Sequence, residues 1–153
     1  MRKVEVNLSV AAAPGRIISA FTDPDMLEGW WKVERTHIEL REGGLYLLTW
    51  GISEHGFRYV SCGTLRRYQP GRLLEIGHLT YLHPEKPILG GMNLIVKARP
   101  EGTGSKVYLC QAGYPPAGRD EHWDWYYEAV KTAWPVVMQT FKAYLEHGSI
   151  KNI

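Results

Sequence analysis

The sequence predicts an α+β domain in which a curved antiparallel sheet of seven strands wraps around one long C-terminal helix. Apolar and polar residues alternate near the start of the chain and again between about residues 34 and 113, as in strands with one buried face. Beyond Pro116 the apolar spacing changes to three or four residues, which indicates a helix. The sheet and the helix can bury their apolar faces only against each other. Because such a curved sheet seldom closes fully, we expect a cavity between them.

The first strand and two short helices follow from local signals. Residues 4–10 alternate between apolar and polar side chains, which predicts a half-buried strand. Pro14 suits the first turn of a helix, where its missing N–H would be unpaired anyway. Asp23 and Pro24 then form a second helix start, with Asp23 as the N-cap. Two short helices are therefore predicted between the first strand and the rest of the sheet.

Six more strands are predicted between the short helices and the last helix. The stretch 83–91 contains Pro84, Pro87 and a glycine pair, and it is predicted to be a loop. The chain shows no alternation of strands with helices, so the sheet should be antiparallel. The six strands are expected at about residues 36–40, 45–50, 57–68, 73–80, 92–99 and 105–113.

The last helix carries one apolar stripe and one anomaly. Pro135 lies inside the helical pattern, where it removes a backbone hydrogen bond and crowds the preceding turn. We expect a kink at Pro135, or two helices that meet there. The predicted stripe comprises Trp123, Tyr127, Val130, Trp134, Val137, Phe141 and Leu145.

Length and composition exclude several classes of protein. A chain of 153 residues fits one domain, residues 1–153, with a core of its own. The net charge of +2 argues against nucleic acid or an anionic membrane as the partner. No apolar stretch is long enough to span a membrane, and no signal peptide is visible, so we predict a cytoplasmic location. The content of 6 Trp and 9 Tyr against 3 Phe favours cavity walls or interfaces.

The sequence contains no motif for a bound cofactor or metal. Histidines, cysteines and carboxylates do not occur at zinc-site spacings, and no phosphate loop or dinucleotide fingerprint is present. Cys62 and Cys110 fall on strands that should not be neighbours, so both are expected to be free thiols. We therefore predict no cofactor, no metal and no disulfide.

Several short motifs follow one another in a particular order over essentially the whole chain. They are Thr22-Asp23-Pro24, Trp30-Trp31, Gly43-Gly44, Gly63, Pro70, Gly102-Thr103, and Trp134 with Phe141, Tyr144 and Leu145. In this order they resemble the helix-grip superfamily, often called SRPBCC, which includes START domains, birch-pollen-allergen-like proteins and polyketide cyclases. Within it the sequence is most similar to homologues of the heat-shock-protein-90 ATPase activator. The resemblance implies the helix-grip fold. It does not select one function, because relatives include lipid carriers, hormone receptors, cyclases, dehydrating enzymes and stress-response co-chaperones.

Our leading functional prediction is the binding of a small hydrophobic or amphipathic molecule in the cavity. Aromatic walls with a few polar tips are typical of such sites. For Trp30 and Trp31, we weigh cavity contact equally against simply covering one end of the sheet. The protein could act as a monomer or a homodimer. The predicted ligand-binding residues are Trp30, Trp31, Trp50, Tyr59, His78, Met92, Trp123, Tyr127, Trp134 and Met138.

Two other functions remain open. His78 alternates with Leu74 and Ile76, so its imidazole is expected on the concave face, largely buried. There it could serve, with a nearby Tyr, a cyclase, dehydratase or hydrolase reaction. We favour the plainer interpretation of a core histidine that is hydrogen-bonded to a neighbouring Tyr. The third function, implied by the resemblance, is a protein-interaction module with a chaperone as its partner.

Overall fold

A seven-stranded antiparallel sheet and a 27-residue helix make up most of the structure, a computed structural model that describes residues 2–148. The elements in chain order are β1 (Lys3–Val10), α1 (Pro14–Ser19), α2 (Pro24–Trp31), β2 (Arg35–Ile38), β3 (Leu45–Trp50), β4 (Tyr59–Gln69), β5 (Leu73–Leu82), β6 (Leu89–Glu101), β7 (Gly104–Ala112) and α3 (Glu121–His147). This is the predicted fold class, with the two short helices after the first strand.

The strands run in the order β1-β7-β6-β5-β4-β3-β2 across the sheet. All neighbours pair antiparallel, and β1 reaches its place by pairing with the last strand, β7, from Lys3 opposite Ala112 to Val10 opposite Ser105. Cys62 on β4 and Cys110 on β7 are separated by two strands, and both are free thiols. The expectation that the two cysteines fall on strands that are not neighbours is confirmed.

Helix α3 packs its apolar stripe on the concave face of the sheet. The side chain of Asp120 caps the helix by accepting hydrogen bonds from the backbone N–H groups of His122 and Trp123. The buried residues of the helix are Tyr126, Val130, Trp134, Met138, Phe141 and Leu145. The buried stripe differs from the predicted one. Trp123, Tyr127 and Val137, which were predicted to be buried, are only half-buried, and Tyr126 and Met138 are buried instead.

Pro135 lies inside α3 without interrupting it. The helix is continuous from Glu121 to His147, so the expectation of two helices meeting at Pro135 is wrong. Pro135 and Lys131 are both exposed. Water can therefore bind the Lys131 carbonyl, which lacks its usual backbone partner, and the helix tolerates the proline. Among residues 2–148, no helix is long and apolar enough to cross a bilayer.

The connection between β5 and β6 is shorter than predicted. Strand β5 continues to Leu82 and β6 begins at Leu89, so the loop occupies residues 83–88 rather than 83–91. Leu89 is buried, and the glycine pair Gly90-Gly91 lies within β6. The two prolines of the segment remain in the loop, whereas the glycine pair was wrongly assigned to it.

A bulge in β5 reverses the alternation of that strand halfway along its length. Thr64 pairs with Gly77 and Cys62 pairs with Thr80, so His78 and Leu79 together oppose the single residue Gly63. His78 adopts a positive φ of 52° and is exposed, while Leu79 is buried. The prediction that His78 lies on the concave face is therefore wrong, because simple alternation does not hold across the bulge.

Candidate functional site

A cavity of about 570 Å³ lies between the concave face of the sheet and α3. The sheet contributes Tyr46, Leu48, Trp50, Tyr59, Ser61, Leu79, Tyr81, Leu94 and Gln111. Helix α3 contributes Trp125, Tyr126, Ala129, Val130, Ala133, Trp134 and Val137, and Trp31 and His83 complete the lining. The lining is predominantly apolar and aromatic. None of these residues is Asp, Glu, Lys or Arg, so no permanently charged side chain of the described chain faces the cavity.

A cluster of tryptophans forms one wall of the cavity. The ring of Trp31 lies 5.1 Å from that of Trp50 and 5.3 Å from that of Trp134, measured between ring centroids. Trp50 donates its indole N–H to the backbone carbonyl of Trp31 at 3.1 Å. This bond joins α2 to β3 and holds the rings edge to face, an arrangement that aromatic pairs prefer. The wall is therefore fixed by packing and by one hydrogen bond.

Aromatic side chains and small residues surround the cavity mouth. His83 lies 5.2 Å from the ring of Tyr59 and 5.8 Å from that of Trp125. The Nδ1 atom of His83 accepts a hydrogen bond from the backbone N–H of Glu85, and Lys86 places its ammonium 4.5 Å from the Trp125 ring centroid. The β5–β6 loop thus packs against the first half of α3, where the exposed Ala129 and Ala133 border the opening.

A buried polar cluster centred on Gln111 lies at the inner end of the cavity. Trp134 donates its indole N–H to the Oε1 atom of Gln111 at 2.7 Å. The Nε2 group of Gln111 donates to the hydroxyl oxygen of Tyr126 at 3.4 Å and to the Sδ atom of Met92 at 3.2 Å. Because an indole N–H can only donate, it fixes which end of the amide faces Trp134. The amide N–H₂ must then face Tyr126.

Tyr126 and Tyr81 form a stacked pair beside Gln111. Their ring centroids are 5.2 Å apart and their planes differ by 20°. Burial raises the pKa of Tyr126 to about 12, the hydrogen bond from Gln111 opposes this shift, and the neighbouring Tyr81 adds to it. Burial, with a contribution from Tyr59, also raises the pKa of Tyr81. Both phenols therefore keep their protons at neutral pH and can donate hydrogen bonds into the cavity.

The structure places four of the ten predicted site residues at the cavity: Trp31, Trp50, Tyr59 and Trp134. Trp30 is instead buried in the core, where its indole N–H donates to the carbonyl of Ala20 at 2.8 Å. Met92 and Met138 are also core residues that do not line the cavity, and His78 is on the outside of the sheet. Trp123 and Tyr127 pack against Tyr114, beyond the cavity lining.

Sequence reasoning missed the polar cluster. Gln111 alternates with Val107 and Leu109 on β7, so the pattern did contain a signal for an inward-facing polar residue. Tyr126 was missed because the helical stripe was placed through Trp123 and Tyr127. Tyr81 and Leu79 face inward only because of the bulge, which a glycine inside a strand can indicate. Gly63 and Gly77 are such glycines, so they could have indicated the bulge from the sequence.

The fold and the cavity together define a helix-grip protein: an antiparallel sheet wrapped around a C-terminal helix, with an apolar, aromatic-lined space between them. Residues 11–146 match the model of the family described as "Activator of Hsp90 ATPase homolog 1-like protein". This match covers most of the chain, so the protein belongs to that family.

Solved structures with the same fold come from several sources. The Aha1 dimer from Colwellia psychrerythraea is 14% identical with a TM-score of 0.70, and the match covers 97% of this chain and 98% of that one. Protein MLL2253 from Mesorhizobium loti is 20% identical with a TM-score of 0.71, covering 94% and 96%. DynU16, a putative protein in the dynemicin biosynthetic locus, is 16% identical with a TM-score of 0.67, covering 96% of this chain but 48% of that one. No functionally curated protein matches significantly.

Proposed function

We propose that the protein binds a small hydrophobic or amphipathic molecule in the cavity between the sheet and α3. The observation that carries the proposal is a space of about 570 Å³ with an apolar, mostly aromatic lining. Pockets for small molecules span roughly 300–1,000 Å³ and are lined in this way. Protein cores contain few voids larger than a water molecule, so ordinary core packing does not account for such a space.

The outward position of His78 argues against catalysis by that residue. The enzymatic alternative required a buried imidazole at the cavity, and His78 is exposed on the other side of the bulge. Among the described residues, the histidine that does line the cavity is His83, which lies at the mouth and accepts a hydrogen bond at Nδ1 from the backbone N–H of Glu85. The lining offers phenol and amide groups instead, which position a ligand. We therefore propose binding without conversion.

A chaperone-interacting module is the second candidate function. It is supported by apolar side chains on the surface, since Val136 on α3 is 66% exposed and Ile88 in the β5–β6 loop is 68% exposed. Added to a purified chaperone of the heat-shock-protein-90 class, the protein should then stimulate ATP hydrolysis by the chaperone, and Val136→Glu should reduce the stimulation.

The two free thiols fit the cytoplasmic location that we propose for either function.

A thermal-shift screen with Trp emission recorded in parallel tests the binding proposal. Oleate, cholesterol, quercetin and the uncharged naphthyl ketone Prodan represent four ligand classes. A ligand that binds only the folded protein should add about 2.7 kcal/mol of stability at 100 times its dissociation constant. Trp emission should change over the same concentrations, because Trp31, Trp50, Trp125 and Trp134 line the cavity. No response to any class would contradict the proposal.

A pair of tryptophan substitutions on α3 locates the binding. Ala129 borders the cavity mouth, so Ala129→Trp should block entry and weaken binding of the responding compound by about tenfold or more. Gln139 is exposed on the same helix and does not line the cavity, so Gln139→Trp should bind like the unchanged protein. If both substitutions weakened ligand binding equally, the ligand would not be binding in the cavity.

A further inference from the structure

The hydrogen-bond polarity at the inner end of the cavity restricts what the ligand can be. Trp134 can only donate its indole N–H, so the Oε1 atom of Gln111 must face it, at 2.7 Å. The Nε2 group of Gln111 is thereby turned toward Tyr126, whose hydroxyl oxygen accepts at 3.4 Å. The hydroxyl hydrogen of Tyr126 is left over. Within residues 2–148 it has no acceptor, although Tyr126 is only 8% exposed and lines the cavity.

A second phenol that lines the cavity, Tyr81, also has a hydroxyl hydrogen without an acceptor among residues 2–148. The ring of Tyr81 stacks on that of Tyr126 with 5.2 Å between centroids, and the Tyr81 hydroxyl makes no hydrogen bond within the described part of the chain. A carbonyl oxygen has two lone pairs and no hydrogen, so it can accept the hydroxyl hydrogen of Tyr126 and keeps a lone pair for a second donor. A ligand whose polar atoms only donate would leave Tyr126 unsatisfied in a buried site, which is costly.

The rest of the lining restricts the charge and shape of the ligand. No Asp, Glu, Lys or Arg lines the cavity, so an ionised group of the ligand would be buried without a counter-charge. Trp31, Trp50 and Trp134 present ring faces and edges, which favour aromatic partners. Resting on the proposed binding function, we propose that the ligand is an uncharged aromatic molecule with a carbonyl oxygen, and that this oxygen accepts the hydroxyl hydrogen of Tyr126.

Three naphthalenes of nearly equal size test this inference. They are 2-acetylnaphthalene, which has the carbonyl, 2-isopropenylnaphthalene, in which a CH₂ group replaces the oxygen, and 2-naphthoate, which is an anion at pH 7.5. Quenching of Trp fluorescence gives each dissociation constant. The ketone should bind about 3- to 10-fold more tightly than the alkene, the range expected for one neutral hydrogen bond. The anion should bind more weakly than the ketone.

A phenylalanine substitution assigns the preference to Tyr126. Tyr126→Phe should remove most of the preference for the ketone while leaving the alkene unaffected. Bound Prodan provides a spectroscopic readout, because its emission moves to shorter wavelength when its carbonyl loses a hydrogen bond, as we expect in Tyr126→Phe. The matched control is Tyr108→Phe, since the Tyr108 hydroxyl bonds Glu5 and does not line the cavity. Melting temperatures of Tyr108→Phe and Tyr126→Phe close to that of the unchanged protein would show that both variants fold.

The possible failures are distinguishable. Equal binding of ketone and alkene, tighter binding of 2-naphthoate, or an unchanged preference in a folded Tyr126→Phe would overturn this inference and leave the cavity a binding site. If none of the three naphthalenes and no compound of the screen binds, the proposed function itself is overturned, and the inference with it.

Discussion

Gln111 is the residue on which the buried polar groups depend. It is 3% exposed and connects β7 to α3 through Trp134 and Tyr126. Both of its amide atoms have partners, so the cluster satisfies the requirement that buried polar groups be hydrogen-bonded. The same residue that holds the helix on the sheet therefore also orients the hydroxyl that faces the cavity.

Removing the Gln111 amide should destabilise the protein. Gln111→Leu leaves the indole N–H of Trp134 buried without an acceptor, so we expect a loss of about 1–3 kcal/mol in the free energy of unfolding. Adding Trp134→Phe removes the unpaired donor. The double variant should therefore lose less than the sum of the single changes, as measured by urea unfolding. Strict additivity would show that the hydrogen bond contributes nothing.

Glu75 makes stability depend on pH. Burial by itself would raise the pKa of Glu75, but the hydrogen bonds from Arg67 and Asn93 and the charges of Arg67 and Arg66 lower it overall. Arg67 donates from Nε to the Oε1 atom of Glu75 at 2.5 Å. A depressed pKa in the folded state means that Glu75 contributes stability above its unfolded pKa, and that this contribution is lost as the pH falls through the folded pKa.

Glu75→Gln tests this linkage. The stability difference between the unchanged protein and Glu75→Gln should be largest near pH 7 and should shrink below about pH 4.3, the ordinary glutamate pKa. Unfolding by urea at pH 7, 5, 4 and 3 measures it. Glu101→Gln is a suitable comparison, because among residues 2–148 that exposed carboxylate accepts a side-chain hydrogen bond only from Ser9. A difference that is constant with pH would rule out the proposed role of Glu75.

At the scale of the elements, the bulge between β4 and β5 decides which side chains of β5 reach the cavity. Gly63 allows the close approach of the two strands, because a Cβ there would lie 2.7 Å from the carbonyl oxygen of Gly77 and 2.8 Å from the Cγ2 atom of Ile76. The bulge in turn brings Leu79 and Tyr81 to the cavity lining and sends His78 outward.

Two glycine-to-alanine substitutions should therefore have opposite effects. Gly63→Ala should cost about 1–3 kcal/mol of stability, because the strands must separate to admit the methyl group. Gly15 lies in α1 with no atom within 4 Å of its virtual Cβ, so Gly15→Ala should stabilise by about 0.5–1 kcal/mol. Thermal and urea unfolding of both variants measure this contrast. Similar effects at both positions would refute the close approach at Gly63.

The elements themselves were predictable from the sequence because alternation and helical spacing are local properties. Segments with one buried face, such as β1, show the pattern directly. The position of His78 was not predictable by alternation, since a bulge depends on the partner strand and its contacts at Gly63. The helix phase failed for a similar reason: Trp123 and Tyr127 pack on Tyr114, so apolar residues cover more than one face of α3.

At the scale of the whole molecule, Phe141 joins α3 to the segment that contains the two short helices. Its ring lies 5.3 Å from that of Phe21 and 5.1 Å from that of Trp30, and it is fully buried. Phe141→Ala should therefore destabilise the entire domain by about 3–5 kcal/mol. Gln139→Ala, on the exposed side of the same helix, should change stability by less than about 0.5 kcal/mol. Similar losses in urea unfolding would contradict this packing.

The pairing of β1 with β7 has a consequence for synthesis on the ribosome. Lys3 pairs with Ala112, so β1 is made long before its partner β7, which is the last of the described strands in chain order. Until residues 104–112 emerge, β1 presents unpaired backbone groups and an apolar face to other nascent chains. Pairings this distant in sequence also slow folding. Helix α3, which covers the concave face, emerges later still. The newly made chain should therefore be most prone to aggregation until β7 and α3 have emerged.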